Sequence, residues 1–210
     1  MKGDKLIIFD FDGVIVDSWE HSYKRNTRDW PDLKPHDHKK FFMGNIYEAL
    51  AMLPASTISS EETEKWLNEE YYPTKQKLPI FEGIQNVVRK LADKNTLIVN
   101  TSATSFSTKE YLTNAGLIDF FDTIYGLEIS KDKIQKFNQI LKDFNVKPED
   151  CIFITDTVGD VLEAEHCSIK SLVVTYGYQS REYFESIKTE IIGFADKPLE
   201  ILNFIDHSRV

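Results

Sequence analysis

LIIFDFDGVIVDS (6–18) sets four apolar residues directly against two aspartates, and the fold of the whole chain turns on how it is read. LIIF (6–9) is a short apolar run that stops abruptly at polar residues, the pattern of a strand covered on both faces of a sheet. Asp10 and Asp12 follow at its carboxyl end, where open α/β sheets place their ligands. In a continuous strand the two carboxylates point to one face, and neighbouring carboxylates both stay ionised only beside a cation or with a shared proton. Gly13 then permits a sharp turn away from the strand. On this pair alone, an acidic loop at a strand end accounts for the residues as well as a site does.

The same punctuation recurs at TLIV (96–99), CIFI (151–154) and SLVV (171–174), each followed within a few residues by a helical pattern. That alternation predicts an α/β fold, a Rossmann-like parallel sheet with helices on both faces. Ile84, Val87, Val88 and Leu91 repeat at the helical period within 82–93, and helices are also expected at 107–115, 132–144, 158–167 and 196–205. About ninety residues separate the first two strands, far more than one crossover helix needs. The interval from 18 to 78 lacks strand runs and is punctuated by Pro31, Pro35, Pro54 and Pro73, with Pro79 just beyond. Ser59 followed by Glu62 predicts a capping box before a helix through Trp66 and Leu67. The expected organisation is an α/β core of residues 1–16 and 80–210, with a helical domain of residues 17–79 inserted after the first strand. The chain rejoins the core near Phe81-Glu82-Gly83.

Composition narrows the class. Of 210 residues, 41% are apolar and 28% charged, which argues against a largely disordered chain. Acidic residues outnumber basic ones 34 to 25, for a net charge of −9, so neither nucleic acid nor a membrane surface is an expected partner. No apolar run approaches the roughly 20 residues that span a bilayer. The start, MKGDKLIIFDFDG, turns acidic where a signal peptide stays apolar. Cys151 and Cys167 are too few for a disulfide framework or a four-ligand zinc site and read as buried small apolar residues. The expectation is a soluble, cytoplasmic protein whose oligomeric state these features do not fix.

A second acidic cluster shifts the reading of the first. CIFITDTVGD (151–160) is another strand running into Asp156, with Asp160 at the start of the next helix. Asp160 alone is explained by the helix dipole, but two parallel strands both ending in acids make a hard-oxygen site suited to Mg²⁺. TLIVNTS (96–102) supplies Thr101 and Ser102 at a third strand end, where a hydroxyl either caps the next helix or meets a phosphate oxygen. Lys131 and Lys133 head the helix KDKIQKFNQIL (131–141), against the dipole preference, so something other than helix stability accounts for a cation there.

In this order, DFDGVIVDS, a Thr after an apolar strand, a Lys before a helix and TDTVGD resemble the four motifs of the haloacid dehalogenase superfamily, over nearly the whole chain. The helical insertion resembles that family's C1 cap, and FEGIQNVVRKL (81–91) resembles the stretch between cap and second motif in phosphoglycolate-phosphatase-like members. The resemblance implies a Mg²⁺-dependent phosphatase that hydrolyses a small phosphorylated metabolite through an aspartyl-phosphate. It makes Asp10 the nucleophile and Asp12 the acid that protonates the leaving oxygen, then the base that activates water. Thr101 and Lys131 hold the phosphoryl group, with Ser102 and the backbone at Phe11 also at the phosphate. The Asp10 carboxylate, the Asp12 carbonyl, Asp156 and Asp160 hold the metal, Asp160 directly or through water.

The chemistry agrees with that division. A carboxylate attacks a dianionic phosphate poorly unless metal and ammonium offset the repulsion, and a second carboxylate moves the proton in each half. An acid at Asp12 favours phosphate over halide chemistry, since halide leaving groups need no proton. Two departures stand out: Thr155-Asp156 replaces a common Gly-Asp, and no Lys-Pro pair marks the third motif, so Lys133 competes with Lys131. Spacing back from FNV (144–146) favours Lys131.

A β-phosphoglucomutase-like phosphotransferase shares every core residue and is the alternative. A receiver-type signalling domain is disfavoured, because TLIVNTS carries no acceptor aspartate and such domains have no room for the insertion. A non-catalytic scaffold is disfavoured because all four motif positions are filled. In the insertion, His21, Arg25 and Arg28, with Lys24, make one helix face basic, read as a solvated face. Gly44 resembles a cap glycine; Trp19, Tyr23 and Trp30 read as packing, and His36 and His38 as part of a surface loop. Hinges are expected near 16–18 and 79–83.

Overall fold

The computed structural model describes residues 5–207; residues 1–4 and 208–210 of the expected core lie outside the described residues. Its strands are β1 (Leu6–Phe9), β2 (Thr96–Asn100), β3 (Thr123–Tyr125), β4 (Cys151–Thr155), β5 (Lys170–Val174) and β6 (Ile191–Ala195). They form one parallel sheet in the order β3-β2-β1-β4-β5-β6. Because β1 is central and buried on both sides, its residues alternate between two cores rather than between core and solvent. Ile7 and Phe9 join Leu97, Val99, Ile152 and Ile154 in one cluster, while Leu6 and Ile8 join Ile98 and Phe153 in the other.

Ten α-helices surround the sheet among the described residues: α1 (Trp19–Asp29), α2 (Pro35–Lys40), α3 (Ile46–Ala51), α4 (Ser60–Trp66), α5 (Tyr72–Lys75), α6 (Ile84–Ala92), α7 (Ser105–Asn114), α8 (Lys133–Phe144), α9 (Val158–His166) and α10 (Ile201–His207). The apolar face of α6, Ile84, Val87, Val88 and Leu91, seals the first cluster, and Phe137 and Ile140 of α8 seal the second. The expected helix at 196–205 opens as a 3₁₀ turn, Pro198–Glu200, before α10. β3 and β6 escaped the sequence reading because they are the sheet's edges. Thr123, Ile124 and the residues Ile191 to Phe194 are half-buried and lack the unbroken apolar run of a central strand.

The stretch between β1 and β2 is helical, as expected. Ser59 caps α4 with both arms of the box in place, its hydroxyl accepting from the Glu62 amide at 3.2 Å and its amide donating to Glu62 Oε2 at 3.1 Å. A π-helical turn, Leu67–Tyr71, joins α4 to α5. Pro73 just beyond lacks an N–H and crowds the preceding turn, which the wider π turn accommodates. One expectation fails here: His38 lies in α2 and is fully buried, because Trp19, Tyr23, Phe41 and Phe42 enclose its ring and Asn26 Nδ2 meets its Nε2 at 2.8 Å. Burial lowers its pKa to about 4.

The chain enters and leaves this helical excursion as a two-stranded ribbon. Asp17 donates to the Pro79 carbonyl at 3.0 Å, Phe81 donates to the Ile15 carbonyl at 3.1 Å, and Val16 and Ile80 pair antiparallel.

Candidate active site

Strand order reverses direction at β1 and β4, which leaves a crevice beyond their carboxyl ends. Asp10 and Asp156 follow these two strands directly, and a cleft of about 270 Å³ opens above them. Asp10, Asp12, Thr101, Ser102, Asp156 and Asp160 all line it, so the fold gathers residues spread over 150 positions of sequence.

The chain leaves the strand where the apolar run ends, as expected. β1 ends at Phe9, and Asp10 keeps one ladder bond, its amide to the Ile154 carbonyl at 2.9 Å. Residues 11–16 then fold into a tight loop, with Ile15 donating to the Phe11 carbonyl at 2.9 Å and Gly13 donating to the Val16 carbonyl at 2.9 Å. Gly13 has φ +79°, and a β-carbon there would collide with the Asp156 carboxylate. Asp10 and Asp12 therefore do not share one face of a strand. Asp10 is buried against the sheet, while Asp12 sits in the cleft, half-buried. Phe11, buried beneath them, donates its amide to Asp10 Oδ1 at 2.7 Å and so orients that carboxylate.

Lys133, not Lys131, is the lysine brought to Asp10. Its Nζ lies 3.0 Å from Asp10 Oδ2 and 2.6 Å from Asp160 Oδ2. Lys131 is exposed, with its ammonium 5.3 Å over the Tyr47 ring. The reason is local: Asp132 is the N-cap of α8, accepting the Ile134 amide at 2.7 Å, so Lys131 precedes the helix and Lys133 is the first residue facing inward. One turn on, the fully buried Lys136 donates to the Thr101 carbonyl at 2.6 Å. Burial, then repulsion from Lys133, lowers its pKa to about 8. Thr101 is itself buried, and its Oγ1 accepts from the Ala103 amide at 3.0 Å.

Three carboxylates are thus buried together, two of them in contact with the Lys133 ammonium. Burial pushes the Asp10 carboxyl well up; Lys133 opposes this, and Asp160 and Asp156 add to it. Burial also presses on Asp160, yet Lys133 and hydrogen bonds with Asp10, Lys133 and Thr155 hold it below the usual carboxylate range. Burial raises Asp156 to about 7, despite a 2.7 Å bond from the Tyr178 amide to its Oδ2. Among the described residues, its Oδ1 is buried without a hydrogen-bond partner. Such an orphaned anionic oxygen is costly, and a divalent cation drawing on Asp10, Asp156, Asp160 and a main-chain carbonyl would satisfy it. Among the described residues, no three acidic, histidine or cysteine side chains are grouped closely enough to hold a cation by themselves. The departure at Thr155 also gains a purpose, since its hydroxyl donates to Asp160 Oδ2 at 2.7 Å.

The helical excursion closes over the cleft with residues that sequence reading passed over. Lys75, at the end of α5, is buried and reaches Asp12 Oδ2 at 2.7 Å. Desolvation works against its charge, but Asp12 outweighs it and raises its pKa. Tyr47 donates to the Ser102 carbonyl at 2.7 Å, and Asn45 Nδ2 bridges the Lys131 carbonyl at 3.2 Å and Glu163 Oε1 at 2.9 Å. Gly159, in α9, presses so closely on Gly44 that a β-carbon would collide with the Gly44 carbonyl. Nothing in the sequence pattern singled out Lys75: its partner lies 63 positions away. The basic face of α1 divides. Arg28 lies 4.8 Å over the Trp66 ring and bonds Thr63 and the Glu62 carbonyl, His21 stacks on Tyr71, and Lys24 is solvated, whereas Arg25 lines the cleft. Trp19 and Tyr23 stack as packing, as expected, and Cys151 and Cys167 are buried and free.

Known proteins resemble this chain in sequence and in fold. A protein from Pseudomonas aeruginosa named 5'-nucleotidase is 25% identical over 193 residues, covering 84% of this chain and 85% of its own. A phosphoglycolate phosphatase from Colwellia psychrerythraea is 26% identical over 207 residues, covering 87% and 89%. The solved structure of a haloacid dehalogenase-like family hydrolase from Streptococcus pneumoniae shares the fold at a TM-score of 0.75 and 24% identity, over 98% of this chain and 100% of that one. With the family model matching residues 7–174, from the first residues of β1 through β5, the chain belongs to the haloacid dehalogenase-like hydrolases.

Proposed function

We propose that this hydrolase is a Mg²⁺-dependent phosphatase that cleaves small phosphomonoesters through an aspartyl-phosphate on Asp10. The observation that carries the reading is the Asp10 carboxylate 3.0 Å from Lys133, buried at the end of the central strand, with a second carboxylate, Asp12, two residues on in the cleft. The names of the relatives, a 5'-nucleotidase and a phosphoglycolate phosphatase, support it. Residues 17–79 act as the cap, and the cleft of about 270 Å³ suits a small ester.

Asp10 attacks phosphorus, its carboxylate oxygen forming the new P–O bond as the ester P–O bond breaks. The departing alkoxide takes its proton from Asp12. In the second half, water attacks phosphorus, Asp12 takes the water's proton, and the Asp10 carboxylate leaves as phosphate is released. Lys133 offsets the negative charge of both Asp10 and the phosphoryl oxygens, and Thr101 and Ser102 border the same space. Lys75 holds the Asp12 carboxylate, and Lys136 fixes the Thr101 carbonyl. Asp10, Asp156, Asp160 and the Asp12 carbonyl would hold Mg²⁺, which supplies the charge that keeps the buried Asp10 ionised for attack and neutralises the phosphoryl group. Two free, buried thiols fit a reducing compartment, such as the cytoplasm.

The test is phosphate release from a panel of esters by the protein and its Asp10→Asn variant, with Mg²⁺ and with chelator, each product also checked for isomerisation. Mg²⁺-dependent release that falls at least about a thousandfold in the variant is expected. Release that survives Asp10→Asn sinks the reading, and isomerised product without free phosphate moves the chain to the phosphotransferases.

A further inference from the structure

Every lysine at the heart of the cleft is committed. Lys133 is held by Asp10 and Asp160, Lys75 by Asp12, and Lys136 by the Thr101 carbonyl. Arg25 is different. It lines the same cleft from α1, half-buried, and among the described residues no carboxylate lies within ion-pair distance of its guanidinium. Its hydrogen bond runs from Nη1 to Oδ1 of the neighbouring Asn26, a neutral amide, at 3.1 Å. In a chain with 34 acidic residues against 25 basic ones, a guanidinium without an acidic partner on a concave wall is an exception. Arg28, one turn on, shows the ordinary outcome, pinned by Asp29, Thr63 and Trp66.

Neutral polar groups share the cleft lining with Arg25. Its charge is felt at the hydroxyls of Tyr47 and Tyr71, and Tyr72 and Ser22 line the same cleft. A planar guanidinium on the cleft wall without an acidic partner is suited to receive an oxyanion, with the charge-assisted, two-pronged hydrogen bonding that a lysine does not reproduce. We infer that Arg25 forms a second anion subsite, and that the substrate class is a short phosphomonoester carrying a further oxyanion, carboxylate or phosphate, at the end away from the transferred group. The inference rests on the phosphatase reading for the placement of the transferred phosphoryl group, and on the guanidinium's lack of an acidic partner among the described residues for the rest.

Binding and turnover separate the two claims. Dissociation constants for phosphoglycerate, for glycerol phosphate and for propanediol bisphosphate are measured by calorimetry with Mg²⁺ on the Asp10→Asn protein, so that none is consumed. The same constants are then measured with Arg25→Met and Arg25→Lys added. Phosphoglycerate or the bisphosphate is expected to bind about ten- to a hundredfold tighter than glycerol phosphate. Arg25→Met collapses that ratio toward one, and Arg25→Lys keeps part of it. Preference for phosphoglycerate identifies a carboxylate, and preference for the bisphosphate a phosphate. Equal binding of all three esters, or a preference that persists in Arg25→Met, overturns the subsite even if the wild-type protein releases phosphate. Conversely, an Arg25-dependent preference in a protein that releases no phosphate from any ester upholds the subsite and sinks the phosphatase reading.

Discussion

Lys133 illustrates how one side chain can be worth more than its sequence context suggests. Its ammonium is the single cation between two buried carboxylates, so replacing it by Met leaves Asp10 and Asp160 facing each other without compensation. Lys133→Met is expected to cut phosphate release by at least about a thousandfold and to lower stability in urea at pH 7 by about 3 kcal/mol. Lys131→Met, altering an exposed residue, should change release less than about threefold; the opposite ranking would restore the lysine that spacing favours. Asp156 gives a pH test. Its pKa is raised by burial to about 7, so the folded state binds its proton more tightly than the unfolded chain. Its stabilising contribution is therefore present in acid and is lost as pH rises from about 4 through about 7, by an amount on the order of 4 kcal/mol. In metal-free buffer, the stability of the wild-type protein relative to Asp156→Asn should fall across that window. Mg²⁺ at pH 8 should restore it only where Asp156 is present. A flat difference in urea titrations would refute the raised pKa, and an equal gain from Mg²⁺ in Asp156→Asn would remove Asp156 from the metal set. These acids were legible in the sequence because strands ending in acid clusters are rare patterns; the lysine was not, since a two-residue choice at a helix start depends on which residue caps the helix.

At the scale of elements, α5 and α9 carry what the strands cannot. α5 is a single turn, delivered by the π turn and Pro73 so that Lys75 meets Asp12. Because Asp12 retains access to solvent, Lys75→Met should cost little stability but should let the carboxylate swing out of line. Turnover of alkyl phosphates is expected to fall about ten- to a hundredfold, and that of p-nitrophenyl phosphate, whose leaving group needs no proton, by much less. Equal losses on both esters would show that Lys75 does not act through Asp12. α9 opens at Thr157 with its Val158 amide donating to Gln179 Oε1 at 2.7 Å, while Gln179 Nε2 donates to the Lys39 carbonyl at 2.8 Å. One glutamine thus ties the start of α9 to the excursion. The capping box at Ser59 was readable as a local rule, whereas Lys75 and Gln179 act through partners 63 and 140 positions away.

For the whole molecule, the ribbon of Val16 and Ile80 is the narrow connection between excursion and sheet, beside the contacts of Asn45, Tyr47 and Gln76 that close the cleft. The hinges proposed at 16–18 and 79–83 lie beside this ribbon. If opening there admits substrate and closure excludes water, locking the closed form should stop turnover. An Asn45→Cys, Glu163→Cys pair bridged by a short bismaleimide is expected to lose more than about 90% of its turnover relative to the same protein left unbridged, against a single-cysteine control. Full turnover while bridged would refute a moving cap.

Sequence alone determined the parallel α/β class, the helical insertion, the acids at the ends of β1 and β4, and the family they imply. These are set by local rules: apolar runs make buried strands, and the carboxyl ends of neighbouring parallel strands bring their next residues together. Tertiary structure alone decided which lysine faces Asp10, that Lys75 holds Asp12, that His38 is buried, and that Arg25 rather than Arg28 looks into the cleft. Each depends on which neighbour burial brings within about 3 Å, and in a low-dielectric interior that distance sets whether a charge is paired or free.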